Sequence, residues 1–442
     1  MKRPIILLSI LMFLQFFTWG AWFVTLGQAL GSNDLGEAVA AGYGSAPLGA
    51  IFAPLFLGLI ADRFFPSQWV MAVLFAVGGV FLLLVPGAAA EGKTGLMGWL
   101  FLGNMLCYMP TLGLANTVTF SHLDRLQFPK ARVWGTIGWI AAGLLIGFLG
   151  WSSSLGIFQV AGWSSILLGG YCLLLPHTPP PAKGEPLSWR ALLMVDAWKL
   201  LTKPGFLTFI VCSGLICIPL AYYYGTASQF LTNSGFAQAS ATMSIGQMSE
   251  IIFMLLIPFC FRRLGVKWMI VVGMMAWVLR YLLFAFGAPD QAAWMLYGGI
   301  ALHGICYDFF FVTGFMYTDK VAPKNIRSQA QALLVLVTQG LGMYFGYMVA
   351  FGRFDGVAES YGALDKAISA ERAGDATSGA VGALGRMFQL KLPSGVDGDL
   401  LARTMDLWKS YWMFPALLAF GITIVFTLTF WDKVDVSSDD DS

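Results

Sequence analysis

A carboxylate stands in the middle of an otherwise oily stretch of this chain: Asp308, in GICYDFFFVTGFMY. Three more ionisable side chains have similar surroundings, Glu250 in SIGQMSEIIFML, Arg280 in AWVLRYLLF and His303 just ahead of Asp308. At the centre of a membrane-spanning helix a charge costs roughly 2.5–3.5 kcal/mol on insertion scales, so such residues face a bundle interior or a water-filled cavity and mark ion or substrate pathways. Two carboxyls inside one bundle disfavour each other's charge, and desolvation acts in the same direction. A carboxyl placed there can take up a proton on one side of a membrane and release it on the other, which makes Asp308 and Glu250 the candidate proton-coupling residues.

Helical spacing gives these acids companions. Gln247 and Glu250 are three apart and share a face, and His303 and Tyr307 are four apart with Asp308 beside Tyr307. Arg132, Thr136 and Trp139 follow the i, i+4, i+7 stripe, which places a cation, a hydroxyl and a ring together. Gln15, Thr18, Trp19 and Trp22 form a second polar and aromatic stripe. Packing alone would also account for Trp19, Trp22 or His303, and an interfacial role for Arg132. Arg280 reads as a structural counter-ion for a neighbouring acid.

The elements that must carry these residues are set by composition. The chain has 442 residues, 57% hydrophobic and 11% charged, against roughly 25% charged in a soluble domain. Its apolar runs are mostly long enough for a helix to cross a hydrocarbon core of about 30 Å. The expected fold class is an all-α polytopic membrane protein with twelve transmembrane helices, at about 5–30, 38–61, 69–90, 96–121, 132–151, 156–175, 206–231, 238–261, 268–287, 292–317, 328–352 and 410–431. Lys and Arg crowd the N-terminus and the even-numbered loops, while the short opposite loops hold only Lys93; the positive-inside rule then places both termini in the cytoplasm. The first apolar stretch runs past signal-peptide length without a small-residue cleavage site and reads as a retained helix.

The Pro-rich stretch PHTPPPAKGEP opens a linker at 176–205 between two six-helix bundles, 1–175 and 206–431, with an external loop at 353–409 and a cytoplasmic tail at 432–442. Two short helices, AESYGALDKAISAERAG and DLLARTMDLWKS, are expected in that loop. A parallel repeat is faintly visible: Asp124-Arg125 leads to Arg132 and Asp319-Lys320 to Arg327, eight residues from acid to final arginine in each case. Two six-helix halves are what the major facilitator architecture requires, and its members alternate access by rocking the halves about a midplane site.

GAAAEGKT at 87–94 fits GxxxxGK[ST] but joins two apolar membrane-length runs where the motif needs a strand before it, and no HExxH or CxxC occurs, so enzymatic chemistry and transport driven by ATP are not expected, and neither is a cofactor or metal. The coupling ion is expected to be the proton. The six cysteines fall in apolar runs at irregular spacing, as buried thiols do. A net charge of +2 points to no nucleic-acid partner. The expected partners are a small-molecule substrate and the lipid bilayer, and the expected state is a monomer. A receptor or scaffold that senses a ligand without moving it would favour large soluble extensions, which are not seen here. An exporter would share the architecture.

FLQFFTWGAWFVTLG, GLIADRFFPSQWV, YMPTLGLANTVTF, RVWGTIGWI, SIGQMSE, AWVLRYLLFAFG and YDFF closely resemble the nucleoside:proton symporter family of the major facilitator superfamily, over both halves. The resemblance implies uptake of nucleosides with protons across a bacterial inner membrane. It also implies that Arg132, Thr136, Gln247, Glu250, Tyr307 and Asp308 line the substrate cavity. The chain departs from the family pattern at His303, typically a tyrosine, at Tyr307, typically a phenylalanine, and in the seventh helix. There CIPLAYYYGT places Pro219 and Tyr222 where amide side chains are implied. A flat base suits Trp19, Trp139 or Tyr222, and ribose hydroxyls suit Glu250, Gln247 and Arg132. Sugars would use many of the same groups, so a sugar symporter is the alternative.

Overall fold

In the computed structural model, residues 2–31, 33–56, 64–149, 151, 154–180, 194–237, 239–372, 389–392 and 394–431 are described. The tail expected at 432–442, the centre of the linker (181–193) and the end of the second helix (57–61) lie outside them. Seven helices among these residues are long and apolar enough to cross a membrane, and one of them, Thr242–Gly287, runs for 46 residues, enough for two crossings. It bends at Gly265, whose φ of 64° and ψ of −179° suit glycine, because it has no Cβ to clash. The eighth and ninth spans are the two arms of this bend.

The other spans follow in order: Lys2–Phe23 with a short continuation Leu26–Gly31, Ala38–Phe56, Ser67–Ala90, Thr94–His122, Phe128–Phe148, Gly156–Cys172, Pro204–Asn233 and, for the tenth, Ala293–Val321. The eleventh begins at Arg327, passes through a wide π turn at Leu336–Gly342 and continues as Met343–Arg372. The twelfth is Gly398–Thr429.

Packing repeats between the halves. Span 1 lies on spans 5 and 6, span 3 on span 6 and span 2 on span 4; correspondingly, span 7 lies on span 11, span 9 on span 12 and span 8 on span 10. Small residues make the closest approaches, as expected where lipid supplies no hydrophobic drive between helices. Gly138 of span 5 sits directly against the backbone of Phe13 in span 1, and a Cβ on Gly342 of span 11 would lie 2.7 Å from the Gly214 carbonyl of span 7. The halves meet through span 5 on span 8 and span 2 on span 11. This is the major facilitator fold, with two six-helix bundles around a central seam.

The segment expected as an external loop is built differently. AESYGALDKAISAERAG is largely the continuation of the eleventh helix, and DLLARTMDLWKS is the first part of the twelfth. Hydropathy falls beyond the bilayer, but Val357, Leu364 and Ile368 keep a narrow buried stripe that holds the helix together. Phe354 and Tyr361 pack on Trp408, and Phe354 also on Tyr411. The chain then returns as an extended piece: the Lys391 amide donates to the Gly235 carbonyl at 3.0 Å and the Ala237 amide to the Gln389 carbonyl at 3.2 Å.

On the face that carries the basic loops, the Arg125 guanidinium donates to Asp319 Oδ2 at 2.9 Å, joining the two halves, with Arg327 Nε 3.9 Å from Oδ1. The Arg125 and Asp319 side chains are only 10% and 2% exposed. Breaking one partner of so buried a pair costs on the order of 3 kcal/mol, or about a hundredfold in an equilibrium. Asp319→Asn is therefore expected to shift the protein toward a form open at this face. Spin labels on spans 4 and 10 would then move to longer separations, and an unchanged distance distribution would show that the pair does not hold the face shut.

Candidate functional site

The tenth span widens at Asp308–Val312 into a π turn, a feature concentrated at functional positions because it breaks the regular i→i−4 ladder. Just before it, spans 8 and 10 nearly touch. A Cβ on Gly304 would lie 2.5 Å from the Ser249 carbonyl carbon, and one on Gly246 would lie 2.9 Å from His303 Cβ. The Gly304 amide donates to Ser249 Oγ at 2.9 Å. This contact brings Glu250 beside His303, with Nε2 2.9 Å from Oε1.

Glu250 is engaged from the other side as well. Thr136 of span 5 donates its hydroxyl to Glu250 Oε2 at 2.9 Å, across the seam between the halves. Arg280 of span 9 places Nη1 2.9 Å from His303 Nδ1, with its guanidinium carbon 3.3 Å from the centre of the Tyr223 ring. A guanidinium can only donate, so Nδ1 must accept, and the imidazole proton sits on Nε2 and points at the carboxylate. The sequence Arg280–His303–Glu250–Thr136 is thus a relay in which a neutral histidine links a buried cation to a buried anion. Arg280 serves Glu250 through His303.

Asp308 has no such partners. It is fully buried, and neither carboxyl oxygen has a hydrogen-bond partner; Arg132 and Glu250 are the charges that act on it. Arg132, also buried, lies over the Phe16 ring at 4.0 Å and faces Tyr307 and Tyr108. Its Nη1 is unpartnered, as are Trp19 Nε1 and Gln15 Oε1. Trp19 packs on Tyr108 at 5.3 Å and edge-on to Trp139 at 5.4 Å. The Gln15 amide nitrogen donates to Thr111 Oγ1 at 3.0 Å, and Gln247 is half-buried one turn from Glu250. Buried polar groups are almost always satisfied. A set of orphaned donors and acceptors around one seam therefore describes a site shaped for a polar molecule.

Tyr222 is not part of this group. Its ring packs on Tyr411 at 4.9 Å and on Phe414 at 5.8 Å in the twelfth span, inside the second half. The residue of the run that faces this group is Tyr224, 46% exposed, edge-on to His303 at 6.3 Å and adjacent to Tyr307, Glu250 and Tyr347. Successive helical residues are about 100° apart, so Tyr222 and Tyr224 point in nearly opposite directions. Three tyrosines in a row carry no signal to choose between them; the packing of span 12 makes the choice. Tyr223, also missed, completes the Arg280 sandwich by stacking on His303 at 5.3 Å.

A two-half helical bundle with a polar, partly aromatic cluster at its seam is a multi-pass membrane transporter for a small molecule, and not an enzyme. The solved proton:xylose symporter XylE shares this fold, with a TM-score of 0.59 over 95% of this chain and 96% of its own, at 13% identity. The sequence model of the nucleoside H+ symporter family matches residues 3–365, and the chain belongs to that family. It is 40% identical to the putative nucleoside transporter YegT of Escherichia coli over 77% of this chain and 82% of that protein. It is also 33% identical to the nucleoside permease NupG of Escherichia coli over 78% and 86% respectively. The crystal structure of nucleoside transporter NupG superposes with a TM-score of 0.63, at 29% identity, over 96% of this chain and 99% of that one.

Proposed function

We propose that this protein takes up nucleosides together with protons across a bacterial inner membrane, with the basic face in the cytoplasm and a monomer as the working unit. The observation that carries the reading is Asp308, buried with both oxygens unpartnered beside Arg132 and the Glu250 relay. Substrate and proton enter while the basic face is shut by Arg125 and Asp319. The nucleoside lies between the Trp19–Trp139 corner and Tyr224, with its hydroxyls toward Arg132, Gln247 and Glu250. Asp308 carries the proton and no metal or cofactor takes part. Reorientation must part Thr136 from Glu250, because that bond crosses the seam.

The purified full-length protein in liposomes tests this. Labelled uridine or adenosine should accumulate saturably when the outside is acidic, and a protonophore should abolish the accumulation. Excess unlabelled nucleosides should compete and xylose should not. Uptake indifferent to the proton gradient would remove the coupling, and competition by sugars in place of nucleosides would overturn the substrate class.

The placement of the tyrosines gives a separate expectation. An aromatic stacking partner contributes about 1 kcal/mol beyond its buried area, so Tyr224→Ala should raise the nucleoside Kd roughly five- to tenfold. Tyr222→Phe should leave it unchanged. Equilibrium binding of labelled uridine to the two variants decides between the two positions.

A further inference from the structure

The bend at Gly265, between the eighth and ninth spans, carries three cations and no acid. Arg262, Arg263 and Lys267 fall within six residues, and no Asp or Glu occurs between Glu250 and Asp290. Among the described residues none of the three forms an ion pair. Two of them lie over aromatic rings instead, the Arg263 guanidinium over Phe259 at 4.2 Å and the Lys267 ammonium over Trp431 at 4.1 Å. A ring offers a cation its quadrupole and not a countercharge. The positive charge of the bend is therefore uncompensated.

The rings show where these charges point. Phe259, Trp268 and Trp431 are all exposed, Trp431 by 77%, on the outside of the second half, where the bilayer lies. Phe259 stands one turn back inside the eighth span, so Arg263 folds toward the membrane and not away into water. Trp268 opens the ninth span and Trp431 stands two residues beyond the twelfth, and tryptophans at the ends of spans mark the headgroup level.

We propose that Arg262, Arg263 and Lys267, framed by Trp268 and Trp431, bind the phosphate of an anionic phospholipid in the leaflet at the basic face. Basic clusters next to membrane helices attract anionic headgroups, and cations turned back over lipid-facing rings suit a headgroup better than a partner arriving from water. The bend joins the arms that carry Glu250 and Arg280, so the lipid pins that end of both arms at the membrane surface while the first half moves against them. The site stands whatever the carrier transports.

Thermal unfolding of the full-length protein in neutral detergent tests it. Phosphatidylglycerol near saturation should raise the midpoint by roughly 2–4 °C over phosphatidylcholine. The triple variant Arg262→Gln, Arg263→Gln, Lys267→Gln, referred to its own midpoint in phosphatidylcholine, should lose that rise. A control that removes three other cations of the same face, Lys130→Gln, Lys199→Gln, Lys203→Gln, should keep it. Equal midpoints in the two lipids, a rise retained by the first variant or one lost equally in both variants overturns the proposal. So does an equal rise with inorganic phosphate, which would assign the cluster to a free anion. A rise that emerges only when the acidic segment 432–442 is removed would give the cluster to that segment and also overturn it. A measurement on the wild type needs no variant: offered equal amounts of both lipids, the intact protein should retain phosphatidylglycerol in native mass spectrometry at energies that strip phosphatidylcholine. Equal retention would remove the site.

Discussion

Asp308→Asn is expected to produce a carrier that binds and exchanges nucleoside but no longer concentrates it. The amide keeps the shape of the acid and cannot ionise. In the wild type, one proton moved with each substrate down a gradient of one pH unit can support about a tenfold accumulation, because one unit is 1.36 kcal/mol. In the variant the ratio should fall to one. The size of the effect follows from the surroundings: an ionised carboxylate with no partner in a closed interior is too costly to carry, whereas its neutral form is not. Loaded movement therefore selects the protonated acid, and the wild-type uptake rate should rise as the outside is acidified while that of the variant stays flat. Counterflow and net accumulation in the same liposomes separate the two activities. Normal accumulation by the variant would remove Asp308 from the coupling.

Arg280→Met should be the most damaging single change to stability. The side chain is fully buried and compensates Glu250 through His303. Without it, Glu250 is left as a buried anion whose nearest links are a neutral imidazole and a hydroxyl, a loss of about 3–5 kcal/mol from a total that is typically only 5–15. The full-length protein in detergent should unfold many degrees earlier. Removing both charges, in Arg280→Met with Glu250→Gln, should restore much of the midpoint and none of the transport, since residues in one network are not additive. Strictly additive losses would show that the two groups act independently and that the histidine bridge carries no energy.

The acids and cations of the site were legible because an ionisable residue in an apolar run has little other reason to be there, which is how Asp308, Glu250, Arg280 and His303 stand out. Their connections were not. Glu250 reaches His303 because Gly246 and Gly304 let spans 8 and 10 touch, and contacts between residues far apart in sequence leave no periodic trace. The Tyr222 and Tyr224 exchange has the same origin: local spacing fixes the angle between the rings but not which one faces the seam. Helix edges were legible where hydropathy and helix end together, as in the sixth span. They failed where the eleventh and twelfth helices continue beyond the bilayer on a thin stripe of apolar residues.

Those two overlong helices have a practical consequence. Trp408 is bonded through its indole to Asn233 at the end of the seventh span, and the extended piece at 389–391 is clipped to Gly235 and Ala237. The protruding hairpin is thus riveted at several points to one half of the protein and is a stiff handle on it. A fluorophore on the exposed Glu359 would ride that half as a passenger, and its distance to a second dye on the other bundle would follow the carrier stroke by stroke.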